Sequence, residues 1–207
     1  KINKSNKKSS YKLNYKNSMA LNYRVINIIL ISIYAWILPV QISLELDNEW
    51  ILFIFRALIV VALPIILFNS VFLNSISTSR KNKFKNFFIL NKINLAYLLA
   101  ISIIGAILYN FAPIYEGMPD RVIFLTIFSV IIINALSSPY NSLLIVNGRI
   151  FTVTKFCILI SLLVSSIYFL FNISFLMMWT LFNVSFSLGI IFIALRFISL
   201  NNKTNTQ

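Results

Sequence analysis

Six stretches of the chain are almost wholly apolar: approximately 25–44, 50–73, 93–112, 122–146, 151–171 and 175–198. Short polar segments separate them. A helix that crosses a bilayer needs about 20 mostly apolar residues, because the hydrocarbon core is roughly 30 Å thick and each residue rises about 1.5 Å. All six stretches meet that requirement, so the pattern predicts six transmembrane helices. The second and fourth are long enough to tilt or to extend past the core. Pro39, Pro64 and Pro139 fall inside predicted spans. Each removes a backbone donor and crowds the preceding turn, which predicts three helix kinks.

Composition supports lipid as the solvent. Of 207 residues, 59% are hydrophobic and only 11% charged, against about a quarter charged in soluble domains. The mean hydropathy is +0.86. A soluble fold of this size could not hide so much apolar surface. The fold class expected is therefore all-α, a polytopic membrane protein. It divides into a basic lead (1–24), a six-helix transmembrane lobe (25–200) and a polar tail (201–207). The chain opens on Lys1 with no signal-peptide pattern, and it reads as a fragment whose N-terminal part is missing.

Charge fixes the orientation. The lead carries Lys1, Lys4, Lys7, Lys8, Lys12, Lys16 and Arg24, and the second loop Arg80, Lys81, Lys83, Lys85 and Lys92. Arg149 marks the fourth loop, with Lys155 just beyond it, and Arg196 and Lys203 mark the tail. All five acids lie in the first loop (Glu45, Asp47, Glu49) and the third (Glu116 and Asp120, with Arg121). Basic loops thus alternate with acidic or neutral ones, and basic loops lie on the cytoplasmic side. The expected location is the cytoplasmic (inner) membrane, with both ends inside. The lead reads as a positive-inside anchor or as a contact for lipid headgroups or protein.

The net charge of +13 does not point to nucleic acid, because the basic residues fall between apolar runs and line no groove with aromatics. With no histidine and a single cysteine, Cys157, a metal site is not expected, and Cys157 reads as a small buried hydrophobe. There is no Gly-rich phosphate loop and no Ser, His and acid set, so neither enzyme activity nor a cofactor is expected. The acids at 45–49 read as solvated loop charges. No Asp or Glu lies in a span, which argues against a proton relay or a carboxylate Na⁺ site.

Polar residues accompany the prolines: Gln41 and Ser43, Asn69 and Ser70, and Asn134, Ser137, Ser138, Asn141 and Ser142. In lipid they must find partners, so they join helices to one another or line a wet path for a solute. Arg56 lies six residues past Trp50, inside the second apolar run. It either snorkels to the headgroups or faces a cavity and grips an anionic group.

Two segments carry a resemblance. NALSSPYNSLLIVNGRIFTVTK (134–155) joins a helix bearing Pro and small polar residues to a short basic turn and a further span. FRALIVVALPIILFNSVFLNSISTSRKNK (55–83) joins an Arg-bearing span, with a Pro and then Ser/Thr, to a basic loop. Both units resemble those of polysaccharide flippases in the multidrug/oligosaccharidyl-lipid/polysaccharide exporter superfamily. That family has two six-helix lobes, and the order here resembles the second. The resemblance implies a missing N-terminal lobe of the same chain as partner. It also implies a lipid-linked oligosaccharide, carried on undecaprenyl pyrophosphate, as substrate for cell-surface polysaccharide synthesis. The substrate path it implies is lined by Arg56, Asn69, Asn134, Ser138 and Asn141. Two alternatives stay open. One is a drug or cation exporter of the same fold, disfavoured by a cavity cation without acids. The other is a non-transporting subunit of a larger, for instance organellar, membrane complex.

Overall fold

A computed structural model describes residues 22, 25, 26, 29, 30, 32–57, 83–111 and 120–204. The described chain is all α, with no strand among the described residues. A π-helical turn, Ile33–Ile37, leads into α1 (Leu38–Glu45). Residues 49–57 are helical. Then follow α2 (Lys83–Phe111), α3 (Arg121–Val146), α4 (Ile150–Phe171) and α5 (Phe175–Thr204). Among the described residues, four helices are long and apolar enough to cross a membrane: Phe87–Ile107, Arg121–Val146, Ile150–Phe171 and Phe175–Leu200. The first two expected spans are described only in part, and Pro64 and Asn69 lie outside the described residues.

The boundaries follow from local chemistry. The α3–α4 connection is a Schellman turn: Arg149 N–H donates to the Leu144 carbonyl and Gly148 N–H to that of Ile145. Gly148 takes φ +73, a left-handed conformation that costs glycine little. The end of α1 closes in the same way, with Asp47 at φ 45, Asn48 N–H donating to the Ser43 carbonyl and Asp47 N–H to that of Leu44. Asn48 Oδ1 then accepts from Trp50 N–H and caps residues 49–57. The α4–α5 connection turns on Asn172, at φ 46, and Ser174 Oγ caps α5 by accepting from Met177 N–H.

Pro39 sits in the first turn of α1, directly after the π turn, in which Leu38 N–H donates to the Ile33 carbonyl. The widened turn falls at the residues whose carbonyls a proline ring crowds. Pro139 lies inside α3 and is buried there.

α5 is the hub. Its Trp179, Phe182 and Phe186 form an aromatic column: Phe55 packs edge-on to Trp179 at 4.9 Å, and Tyr34 stacks on Phe182 at 3.4 Å. Phe186 stacks on Phe156 at 6.2 Å. Without a hydrophobic force between helices in lipid, such ring packing and interhelical hydrogen bonds hold the bundle. Two glycines let rings approach a helix backbone. A Cβ on Gly189 would fall on the Phe156 ring, and one on Gly105 on the Phe128 ring.

Helix directions alternate. Phe87 and Asn91 meet Tyr140, whereas Gly105 meets Phe128, so α2 and α3 are antiparallel. Asn134 meets Asn183 and Ser137 meets Ser187, so α3 and α5 run the same way. Glu45 at the end of α1 touches Phe175 at the start of α5, so the chain up to α1 runs opposite to α5.

Candidate functional site

Three of the expected site residues, Asn134, Ser138 and Asn141, share one face of α3, because helical spacing of four and seven residues returns to the same side. The face meets α5. Asn134 Nδ2 donates to Asn183 Oδ1 at 2.8 Å, and Ser187 Oγ donates to Asn134 Oδ1 at 2.6 Å. Ser137 Oγ lies 3.2 Å from Ser187 Oγ and also donates to the Asn134 carbonyl. Asn183 Nδ2 donates in turn to the Trp179 carbonyl. Both ends of the Asn134 amide are thus spent on α5, so this residue joins helices. Asn134 lies 12 residues, or about 18 Å, from the end of α3, near the middle of a bilayer. Asn183 and Ser187 belong to the same seam, and sequence reasoning missed them. Their signal was two polar residues four apart in an otherwise apolar helix.

Nearer the basic end of the same stripe, Ser138 and Asn141 are half-buried. Asn141 Oδ1 is enclosed and accepts no hydrogen bond among the described residues. It is an acceptor left over beside Pro139.

Arg56 stands apart. In the 49–57 segment, Ile51, Ile54 and Phe55 are buried and pack toward α5, whereas Arg56 is exposed. At 100° per residue its side chain leaves the helix on the side opposite those three. It lies roughly 9 Å along the helix from Trp50.

A further feature lies between α2, α3 and α5. A pocket of about 320 Å³ has apolar walls of Phe88, Leu95, Leu136 and Ile191. Its polar lining is Lys92, Asn91 and Tyr140. Asn91 Nδ2 donates to the Tyr140 hydroxyl at 2.9 Å. Lys92, which the apolar pattern places in the second loop, is inside a helix: α2 begins at Lys83 rather than near residue 93.

The described acids all lie at one end of the bundle, with Arg121 beside Asp120 there. The acids Glu45, Asp47, Glu49 and Asp120 cluster at the end of the bundle where α3 and α5 begin. Glu45 is more than a solvated loop charge. Its Oε2 accepts from Phe175 N–H at 2.9 Å and supplies a carboxylate to the positive N-terminus of α5. At the opposite end Arg149 lies over the Phe197 ring at 5.5 Å and Lys155 over Phe151 at 4.2 Å. Cys157 is fully buried, and no cluster of three His, Cys, Asp or Glu occurs among the described residues. No protein-family model, curated protein or solved structure matches the chain.

Proposed function

We propose that this chain is one six-helix lobe of a membrane transporter that moves a lipid-linked oligosaccharide across the cytoplasmic membrane for cell-surface polysaccharide synthesis. The observation that carries the reading is the position of Arg56. It is a basic residue inside the second expected span, exposed on a helix face turned away from the buried residues around α5. A central Arg costs about 2.5–3.5 kcal/mol on insertion scales, and a charge kept at such depth marks a functional position. A second lobe across that face would enclose a wet cavity, and rocking of the lobes would expose it to either side.

The chemistry fits. A pyrophosphate and its sugars cannot cross hydrocarbon unaided, because their polar groups would lose hydration. A guanidinium grips phosphate through two parallel hydrogen bonds and stays charged at any relevant pH.

The test is the series Arg56→Lys, Arg56→Gln and Arg56→Leu in cells, each variant brought to wild-type membrane levels. Surface polysaccharide and the sidedness of its lipid-linked precursor are the readouts. Lys is expected to keep part of the transport, and Gln and Leu to lose most of it. Wild-type transport by Arg56→Leu would remove Arg56 from the path and the reading with it.

A further inference from the structure

The pocket between α2, α3 and α5 lies at the basic end of the bundle, whereas Arg56 lies toward the acidic end. Lys92 is five residues into the Phe87–Ile107 span, about 7.5 Å along the helix. A group roughly 5–10 Å deep sits at the boundary between headgroups and acyl chains. A lysine at that depth can snorkel to the phosphates with nothing built beside it. Here something is built.

The Tyr140 hydroxyl accepts from Asn91 Nδ2, so its own hydrogen is left to donate. The Lys92 ammonium carries three further donors, and no carboxylate among the described residues lines the pocket. The polar lining is therefore rich in donors and cationic, which selects an acceptor-rich anion. Beside it, Phe88 and Leu95 are exposed and apolar, a wall that suits a hydrocarbon chain.

We infer that this pocket binds an anionic phospholipid of the cytoplasmic leaflet. The lipid phosphate meets Lys92 and Tyr140, and the upper part of one acyl chain lies along Phe88 and Leu95. The basic end of the bundle is the one that the charge rule turns to the anionic leaflet. Such a lipid would bridge α2 to α3 where Phe87, Leu143 and Ile198 also join α2, α3 and α5. The inference stands independently of the transport reading.

The test is native mass spectrometry of the purified chain with equal amounts of phosphatidylglycerol and phosphatidylethanolamine. Wild type is expected to retain phosphatidylglycerol preferentially. Lys92→Gln should weaken that retention by about tenfold, the scale of one lost charge-assisted hydrogen bond. Lys92→Arg should preserve it, and Tyr140→Phe should weaken it less than Lys92→Gln does. Lys155→Gln, whose ammonium lies over Phe151 on α4, should leave it unchanged. Equal retention of the two lipids by wild type would overturn the inference, as would wild-type selectivity in Lys92→Gln. So would displacement of phosphatidylglycerol by a polyprenyl diphosphate at lower concentration, which would assign the pocket to the transported lipid instead.

Discussion

Replacing Asn134 by Leu keeps the branched shape and the number of side-chain heavy atoms, at a larger volume, and deletes both ends of the amide that joins α3 to α5. Two interhelical bonds are lost, to Asn183 Oδ1 at 2.8 Å and from Ser187 Oγ at 2.6 Å. Interhelical hydrogen bonds in membranes average about 0.6 kcal/mol and reach about 1.7 kcal/mol, so the pair is worth about 1–3 kcal/mol. Some partners are rescued locally. Ser187 keeps Ser137 beside it, and Asn183 Nδ2 keeps the Trp179 carbonyl. Asn183 Oδ1 loses its Asn134 donor. A second substitution, Asn183→Leu, should then cost less on top of Asn134→Leu than it does alone, with a coupling above about 0.5 kcal/mol. Reversible unfolding in mixed micelles, followed by fluorescence, reads this directly, because the Trp179 indole is buried beside the seam. If the two costs add within about 0.3 kcal/mol, the bond between Asn134 and Asn183 contributes nothing and the seam is not what holds α3 to α5.

Two further predictions concern orientation and packing. Glu49→Cys should react with a membrane-impermeant maleimide on intact cells and Arg149→Cys only after permeabilisation; the reverse pattern would invert the topology. Gly189→Ala should destabilise the bundle by about 1–3 kcal/mol as its methyl meets the Phe156 ring, despite better helix propensity. Phe156→Leu in the same chain should restore most of the loss, and failure to do so would refute the close approach as the cause.

The later helices were legible because apolar run length answers to bilayer thickness. The expected 122–146 and 151–171 differ from Arg121–Val146 and Ile150–Phe171 by one residue at their starts. The start of α2 was misread because Lys83, Lys85, Asn91 and Lys92 look like a loop. A helix satisfies its own backbone wherever it runs, so lysines at the interface do not end it. A stripe at Phe87, Leu90, Asn94 and Leu98, all buried, carried the helical period through that segment. The seam was half legible. Spacing puts Asn134, Ser137 and Asn141 on one face, but nothing local says that Asn183 and Ser187 meet it from a helix some fifty residues on. The π turn before Pro39 likewise depends on how the chain relieves the proline, and the sequence marks only the proline.

Loop charge and helix-end contacts pair the same segments on each side of the bundle. Charge sorts the loops by sign and says nothing of contact. Contacts sort the helix ends by proximity and say nothing of sign. The bond from Phe175 N–H to Glu45 joins the first connection to the fifth, although 130 residues separate them. The place of Arg149 over Phe197 joins the α3–α4 turn to the far end of α5. Tyr140, six residues from the end of α3, meets Phe87 and Asn91 near the start of α2. Each contact pairs segments that charge alternation also puts together, and none pairs an acidic connection with a basic one. A wrong number of crossings between Glu45 and Phe175 would have put these two residues on opposite faces. The six expected spans place four crossings between them, which leaves both residues on one side. The charge rule then supplies the one thing contacts cannot, which end faces the cytoplasm, and that is why the maleimide experiment tests the sign alone.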